Sequence, residues 1–366
     1  MRVHPSQLVT GCLITKDVMG CTKNPIIPKN TLIHPIHIQV LKKFLIESVE
    51  VANKLSDGSP FVPEEPVDDE AIETQPYGSI ESSEDLTFYD RYLHAVQSYK
   101  KWFSDWRAGA SLDIKAIRVV MEPLLESAVQ EKQEIFRLHN YSSSWDYLYH
   151  HSVAMSVMAS YLAYKMDYEY GEWIQVGLAG LLSDAGMARV DQRVIDKEAP
   201  LTEREFEQIK HHPAHSYRLV ENIQTLSRPA KLAILQHHER LDGTGYPLGL
   251  NHTKIHSYSQ LIAVSDMYHA MTSERVYRQK HSPFKVLENV LKEQFGRYDH
   301  TVIQVLVKEL TNYSTGTNIR LSNNRRAEIV FVDQTYPTRP MIRLEEDGEI
   351  YHLKEHMHLH IEEILE

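Results

Sequence analysis

Apolar residues recur at helical spacing along most of this chain, from Leu86 to about Thr311. Stripes of this kind occupy residues 89–99, 114–125, 153–162, 286–291 and 302–310. Apolar side chains three or four positions apart lie on one face of an α-helix. Successive helices can bury such faces only against one another, so the pattern predicts a mainly α fold with one helical domain over residues 86–311.

The two ends of the chain have a different pattern. Short strand-like runs broken by Gly, Pro and Asn, with one helical stretch near residues 38–45, predict a small N-terminal α/β unit over residues 1–55. Apolar runs at 327–332, 341–344 and 350–353 predict strands, and Asp347-Gly348 is typical of a hairpin turn. Residues 316–366 are therefore predicted to form a small β appendage.

Residues 56–85 are strongly acidic. The segment holds ten Asp and Glu residues and no Lys or Arg, and four prolines interrupt any helix. Like charges at this density repel one another and favour extended, solvated chain. We interpret the segment as a linker or loop, with a regulatory acidic segment as the alternative.

The composition excludes several classes of protein. A net charge of −11 argues against binding to duplex nucleic acid, which requires Lys and Arg to neutralise phosphates. Two cysteines, Cys12 and Cys21, are too few for a disulfide scaffold or a Cys-rich zinc module. There is no signal-peptide pattern and no apolar run long enough to span a membrane, so we expect a soluble cytoplasmic protein.

Histidine is unusually frequent, with 21 residues, and many lie beside acidic residues in the helical region. Five segments combine these groups: 147–152, 180–187, 209–213, 237–247 and 265–278. Taken singly, each has an ordinary explanation, such as a buried hydrogen-bonded histidine or a helix cap. Together, imidazoles and carboxylates without thiolates suit Mn, Fe, Ni, Zn or Mg ions. One carboxylate can bridge two cations, and a pair of cations stabilises both oxygens of an in-line phosphoryl displacement.

The run His-His-Glu-x-x-Asp-Gly-x-Gly-Tyr-Pro at 237–247 resembles the signature of the HD-GYP family, a branch of the HD hydrolase superfamily. The other four segments follow in that family's order, so the resemblance covers about residues 130–310. It implies an all-helical, metal-dependent domain that hydrolyses cyclic di-GMP to pGpG or GMP, or acts on a related cyclic dinucleotide. The two ends of the chain resemble appendages of some family members more weakly.

The resemblance also implies one or two divalent cations held by six residues. The implied ligands are His151, Asp184, His212, His237, His238 and Asp266. Asp184 corresponds to the bridging carboxylate, and Arg275 and Arg278 resemble basic residues that bind phosphate, so these three are the implied catalytic residues. The loop beside the substrate would contain Gly243, Gly245, Tyr246 and Pro247. Tyr147 occupies a position where some members carry a Glu ligand, which argues against a third metal.

Three positions depart from the family pattern. Ser183 replaces the histidine of the HD motif, Met187 replaces a lysine, and His269 replaces an aspartate. A serine hydroxyl is a poor ligand for these cations compared with imidazole. The first metal site, formed by His151, Asp184 and Asp266, would keep three of four ligands and be weakened, while the second would be complete. His269 could compensate, and His150 is a poorer substitute because His151 takes the inward direction.

These observations leave three hypotheses. The leading one is a cyclic di-GMP phosphodiesterase with a weakened first metal site. The main alternative is an impaired domain that binds a cyclic dinucleotide or a metal and signals to a protein partner through the N-terminal unit or the acidic segment. The third is a helical interaction protein with an empty inherited site. The identity of the metal and a homodimeric state stay open.

Overall fold

The computed structural model describes residues 2–16, 18–19, 25–27, 29, 31–34, 37–38, 40–41, 46, 48–55, 61, 86–135, 137–141, 146–197, 199–273, 281–293 and 296–365. The chain divides into two compact units, residues 1–85 and residues 86–366. Apart from Phe61, the acidic segment lies outside the described residues, and so does Cys21.

The first unit contains short strands around a small core. They are β1 (Arg2–Val3), β2 (Cys12–Ile14), β3 (Val18–Met19), β4 (Pro25–Ile27) and β5 (Val49–Leu55). β5 is the central strand of a sheet in the order β1-β5-β2, and both of its pairings are antiparallel. β5 falls outside the predicted strand-like runs, although the alternation of buried Val49 and Val51 with Glu50 is a strand signal.

The second unit is built mainly of helices, which confirms the predicted mainly α fold class. The helices are α1 (Phe88–Arg107), α2 (Ile114–Gln130), α3 (Lys132–Ile135), α4 (Leu138–Tyr141), α5 (Tyr147–Lys165), α6 (Tyr170–Ser183), α7 (Gln192–Ile195), α8 (Glu203–Lys210), α9 (His212–Val220), α10 (Arg228–Gln236), α11 (Ser257–Thr272), α12 (Pro283–Glu293) and α13 (His300–Leu310). Among the described residues, no helix combines the length and the hydropathy that a membrane span needs.

Several helices begin where a side chain satisfies their first free backbone N–H groups. Thr87 and Asp90 form such a capping box at the start of α1, and Thr202 and Glu205 form another at the start of α8. A capping box of this kind satisfies two donors that otherwise lack a helical partner. The local sequence therefore fixes where these helices start.

α5 and α6 form the centre of the helical core and approach each other closely. A Cβ added at Gly180 would lie 3.0 Å from the Ser156 Cα, so α6 has no room for a side chain there. The Ser156 hydroxyl donates to the Gly177 carbonyl at 2.6 Å, and the Ser160 hydroxyl donates to the Trp173 carbonyl at 3.0 Å. This packing fixes the start of α5 relative to the end of α6.

The C-terminal residues form a five-stranded antiparallel sheet in the order β10-β6-β7-β8-β9. The strands are β6 (Asn318–Leu321), β7 (Arg326–Phe331), β8 (Met341–Leu344), β9 (Ile350–His352) and β10 (Ile361–Ile364). Phe284 of α12 belongs to the core of this sheet, and buried Arg339 pairs with Glu288 of α12 at 2.6 Å. The region assigned from sequence as an appendage is thus joined to the helices by apolar and ionic contacts, in one compact unit.

Candidate metal centre

The six predicted metal ligands meet where the ends of several helices converge. His151 lies in α5, and Asp184 directly follows α6. His212 begins α9, and His237 and His238 directly follow α10. Asp266 lies within α11. Chain positions that are 115 residues apart, such as His151 and Asp266, are in hydrogen-bond contact.

Four of these residues form a group that we call the four-ligand group: Asp184, His212, His237 and His238. One potential ligand atom from each lies within 4.8 Å of all the others. The Asp184 Oδ1 is 3.1 Å from the His212 Nε2 and 3.7 Å from the His237 Nε2. Distances of this size between donor atoms suit ligands arranged around one small cation.

Two histidines of this group are oriented by backbone carbonyls three residues earlier in the chain. The His212 Nδ1 donates to the Ile209 carbonyl at 2.7 Å, and the His237 Nδ1 donates to the Ile234 carbonyl at 2.8 Å. The two Nε2 atoms consequently face each other at 3.2 Å. Two such nitrogens repel each other unless a proton or a metal cation lies between them, and a backbone carbonyl on Nδ1 is the usual outer partner of a metal-bound histidine. The residues therefore fit a divalent cation.

The other half of the centre is the His151 side, which we define as His151, Asp266 and His269. The His151 Nε2 lies 3.1 Å from the Asp266 Oδ1 and 3.8 Å from the Asp184 Oδ2. Asp184 thus faces the four-ligand group with one oxygen and His151 with the other. Asp266 does the same, because its Oδ2 lies 3.4 Å from the His238 Nδ1. Two carboxylates therefore connect the halves.

The electrostatics keep both carboxylates charged. Burial opposes the charge of Asp184, but hydrogen bonds with His212 and His237 outweigh it and hold the pKa well below its usual range. Burial likewise opposes the charge of Asp266, but the hydrogen bond with His151 helps to lower its pKa. Burial, together with the charge of His237, lowers the pKa of His238 well below its usual value. A neutral imidazole and ionised carboxylates are the forms that bind a metal.

A tight turn places Asp184 beside His212. After Asp184 the chain forms a 3₁₀ turn, Ala185–Arg189, in which a Cβ on Gly186 would lie 2.2 Å from the His212 carbonyl oxygen. The Ser216 hydroxyl donates to the Ser183 carbonyl at 2.6 Å and accepts from the Gly186 N–H at 2.7 Å. Only glycine allows this approach of the turn to α9.

The loop after His238 is held by a buried carboxylate. Glu239 accepts the backbone N–H of Leu248 at 2.7 Å and that of Leu250 at 2.8 Å. The Tyr246 ring then lies over the His238 ring with 4.7 Å between centroids. A Cβ on Gly245 would lie 2.4 Å from the Glu239 Cα, so the loop folds directly onto the motif histidines. Gly245 and Tyr246, two of the loop residues predicted from sequence, therefore lie against the paired histidines of the motif.

Comparison with known proteins gives the same family. The family model of the HD domain matches residues 122–302. The chain is 30% identical to the cyclic di-GMP phosphodiesterase PA4108 of Pseudomonas aeruginosa over 61% of this chain and 54% of that protein. It is also 30% identical to the 3'3'-cGAMP-specific phosphodiesterase 1 of Vibrio cholerae over 46% of this chain and 39% of that protein. The chain thus spans about half the length, or less, of these relatives.

A solved structure shows a similar fold. Bd1817, an HDG"Y"P protein of Bdellovibrio bacteriovorus, aligns with a TM-score of 0.53 over 84% of this chain and 97% of that protein, at 12% identity. Residues 122–302 are an HD domain, and the relatives support its assignment to the HD-GYP branch. The predicted family assignment is confirmed.

The side chains at two of the departures from the HD-GYP pattern contact other parts of the helical unit. The Ser183 hydroxyl is completely buried and donates to the Ala179 carbonyl, one turn back in α6, at 2.8 Å. The Met187 side chain packs against the hydrophobic core. His269 lies in contact with His151 instead, with 3.0 Å between their Nδ1 atoms. Arg275 and Arg278 lie outside the described residues.

Glu239 and Arg240 stand inside the motif, although the residue pattern assigned neither of them a function. Glu239 is buried, and its two accepted hydrogen bonds shape the loop. The Arg240 guanidinium donates to the carbonyls of His237 and Glu239 and lies 4.6 Å from the centre of the Tyr298 ring. A charged residue directly after the paired histidines was the available signal, because a buried charge requires partners.

Proposed function

We propose that this chain is a metal-dependent phosphodiesterase that hydrolyses cyclic di-GMP to pGpG or GMP. The observation that carries the proposal is the convergence of four imidazoles and two ionised carboxylates at the ends of helices. Relatives named as cyclic di-GMP and 3'3'-cGAMP phosphodiesterases support a cyclic dinucleotide as the substrate.

Six residues of the chain would hold the cations. The four-ligand group would hold one cation, and Asp184, His151 and Asp266 would hold a second one more weakly. A divalent cation in such a site lowers the pKa of water and stabilises charge on phosphoryl oxygens.

Asp184 and Asp266 would keep both halves at a fixed separation, because each has oxygens facing both. Tyr246, held over His238 by the Glu239 loop, would border the substrate.

Basic groups are needed to offset the phosphate charge, since the net charge of the chain is −11. We assign this to Arg275 and Arg278, on the basis of the family pattern. Met187 packs against the core and carries no charge, so this chain would stabilise the phosphate charge less than one with a lysine at this position.

The alternative function is a receptor that binds a cyclic dinucleotide without turning it over. The Ser183 hydroxyl favours it, because its hydrogen bond to Ala179 directs it along α6 rather than toward a cation. Such a domain would signal to a partner through the N-terminal unit or the acidic segment.

One experiment separates these functions. Purified protein is analysed for metal content, then incubated with cyclic di-GMP or 3'3'-cGAMP and Mn²⁺ or Fe²⁺, and the nucleotides are separated by chromatography. We expect bound metal and linear products, and an Asp184→Asn variant should give neither. Nucleotide binding without products would support the receptor, and an absence of both metal and nucleotide binding would refute both proposals.

A further inference from the structure

His269 lies one helical turn after Asp266 in α11 and is almost completely buried, with 1% of its surface exposed. Its Nδ1 lies 3.0 Å from the Nδ1 of His151, and the ring centroids are 5.1 Å apart. The contact joins α11 to α5. His269 is therefore placed to act on His151.

The contacts of His269 decide between a substitute ligand and a supporting residue. Besides the contact with His151, the Ser273 hydroxyl lies 3.3 Å from its Nδ1 and 3.2 Å from its Nε2. Both ring nitrogens thus have protein partners, and His269 lies outside the four-ligand group. His269 does not replace the missing imidazole of position 183 as a ligand.

The role of the contact between His151 and His269 depends on which ring nitrogen of His151 carries the hydrogen. A neutral imidazole carries one hydrogen, and it can offer the Nε2 lone pair to a cation only when that hydrogen is on Nδ1. The Nδ1 of His151 then donates to the Nδ1 of His269, which must be without a hydrogen. The hydrogen of His269 is consequently on Nε2, where the Ser273 oxygen accepts it.

We propose that His269 is a positioning residue that accepts the Nδ1 hydrogen of His151 and so holds the His151 Nε2 toward Asp184 and Asp266 for a divalent cation. The inference rests on the proposed function only in requiring a metal at this centre, and it does not depend on hydrolysis. Tyr147 shares this role, because its ring is stacked on His151 and its hydroxyl oxygen, 3.0 Å from the same Nδ1, can accept part of the same hydrogen bond.

Matched substitutions test the proposal through metal affinity. Asn places a polar atom where the histidine Nδ1 lies, and Leu has nearly the same shape without a hydrogen bond. Metal-free full-length protein is titrated with Co²⁺, followed by its visible absorption and by calorimetry. One phase of Co²⁺ binding should disappear in His151→Ala. We expect His269→Leu to weaken the Co²⁺ affinity of that phase by roughly 10- to 100-fold, which is usual for outer partners of metal ligands. His269→Asn should stay within about threefold of the unsubstituted chain.

A double variant shows whether His269 acts through His151. In the His151→Ala background, His269→Leu should have no further effect on Co²⁺ affinity, since the coupled partner is already absent. The proposal is wrong if the effect persists there, if His151→Ala leaves the titration unchanged, if His269→Leu binds Co²⁺ normally, or if His269→Asn binds as weakly as His269→Leu.

Thermal unfolding of the metal-free variants identifies any that fail to fold. If the His269 variants fail to fold, Ser273→Ala and Tyr147→Phe are used in their place. Each should weaken the Co²⁺ affinity of the same binding phase by a smaller factor. Normal Co²⁺ binding by both would overturn the proposal. Nucleotide assays on the same proteins keep the two proposals distinct. If the Co²⁺ affinities change as expected but cyclic di-GMP is not hydrolysed, only the proposed phosphodiesterase activity is refuted. If cyclic di-GMP is hydrolysed but substitution of His269 leaves the Co²⁺ affinity unchanged, only the positioning role of His269 is refuted.

Discussion

The two halves of the metal centre differ in how their histidines are held. In the four-ligand group, His212 and His237 each donate Nδ1 to a backbone carbonyl three residues earlier, so orientation is built into the helix end. On the His151 side, the Nδ1 of His151 is held by side chains from α11 and from its own helix. Backbone support survives most substitutions, whereas side-chain support depends on a few residues. The four-ligand group should therefore bind metal more strongly than the His151 side.

The largest expected effect comes from Asp184→Asn, because Asp184 faces both halves. The amide keeps the shape but loses the charge, so we expect metal binding at both halves to fall by at least about 100-fold and hydrolysis to become undetectable. Metal content of dialysed protein and product formation measure this. Asp191→Asn, at an exposed carboxylate before α7, is the control and should bind normally. Retention of metal by Asp184→Asn would remove the basis for treating it as the shared carboxylate.

Removal of one histidine from each half tests whether the four-ligand group binds metal more strongly than the His151 side. We expect His237→Ala to weaken the tightest metal binding by about 100-fold or more and His151→Ala to leave the tightest binding within about threefold, removing only a weaker phase. Calorimetric titration with Mn²⁺ gives both affinities. Equal losses in the two variants would show that the halves bind as one site.

Glu239→Gln tests whether the four-ligand group also depends on the loop. The amide of Gln can accept only one of the N–H groups of Leu248 and Leu250, so one buried donor is left without a partner, which costs about 1–3 kcal/mol. We expect the KM for cyclic di-GMP to rise about tenfold, with metal affinity unchanged, because the loop borders the substrate. Glu203→Gln, on an exposed face of α8, serves as the control. A lost metal with an unchanged KM would place Glu239 in support of the ligands instead.

Ser183→His tests the weaker half directly. An added imidazole at this position should raise the Mn²⁺ affinity of the weak phase by about tenfold, and Ser183→Ala should change it little, since the hydroxyl donates to Ala179. The double variant Ser183→His, Met187→Lys should also increase the rate of hydrolysis, because it adds a cation for the phosphate. Position 183 is completely buried, so thermal unfolding must show that the larger side chain is accommodated. An unchanged weak phase in a folded variant would mean that Ser183 is not what limits this half.

The sequence predicted the components of the centre better than their support. The resemblance to the HD-GYP pattern implied the six ligands, and helical spacing indicated that Asp266 and His269 share a face of α11. It could not show that this face meets His151, because the rotation of one helix against another depends on packing across the core. The commitment of the Ser183 hydroxyl to Ala179 and of the Glu239 carboxylate to the loop is equally invisible in a residue pattern.

The fold shows the same limit. Helical periodicity identified the mainly α domain, since apolar stripes need no knowledge of partners. The alternation in β5 was present in the sequence but was missed, and the joining of the C-terminal sheet to α12 through Arg339 and Glu288 depends on a contact between residues 51 positions apart. Local patterns therefore reveal elements, and distant contacts decide how the elements combine.

The smallest effect on metal binding is expected at His150, the neighbour of His151 on a different face of α5. His150 contacts Tyr92 in the core, with ring centroids 5.7 Å apart, so His150→Phe should leave Mn²⁺ affinity within about twofold. Burial lowers the pKa of His150 from 6.5 to about 4, so between these values the unfolded chain binds a proton that the folded chain excludes. The free energy of unfolding contributed by this group therefore falls as the pH falls from about 6.5 to about 4, by up to about 3 kcal/mol.

Urea unfolding of metal-free protein at several pH values measures this difference, with His150→Phe compared to the unsubstituted chain. The variant should lose less stability than the unsubstituted chain over that pH range, because it has no buried imidazole to protonate. Parallel curves would show that His150 stays neutral without cost, and a loss of Mn²⁺ binding would show that both neighbouring histidines, and not His151 alone, support the weaker half of the centre.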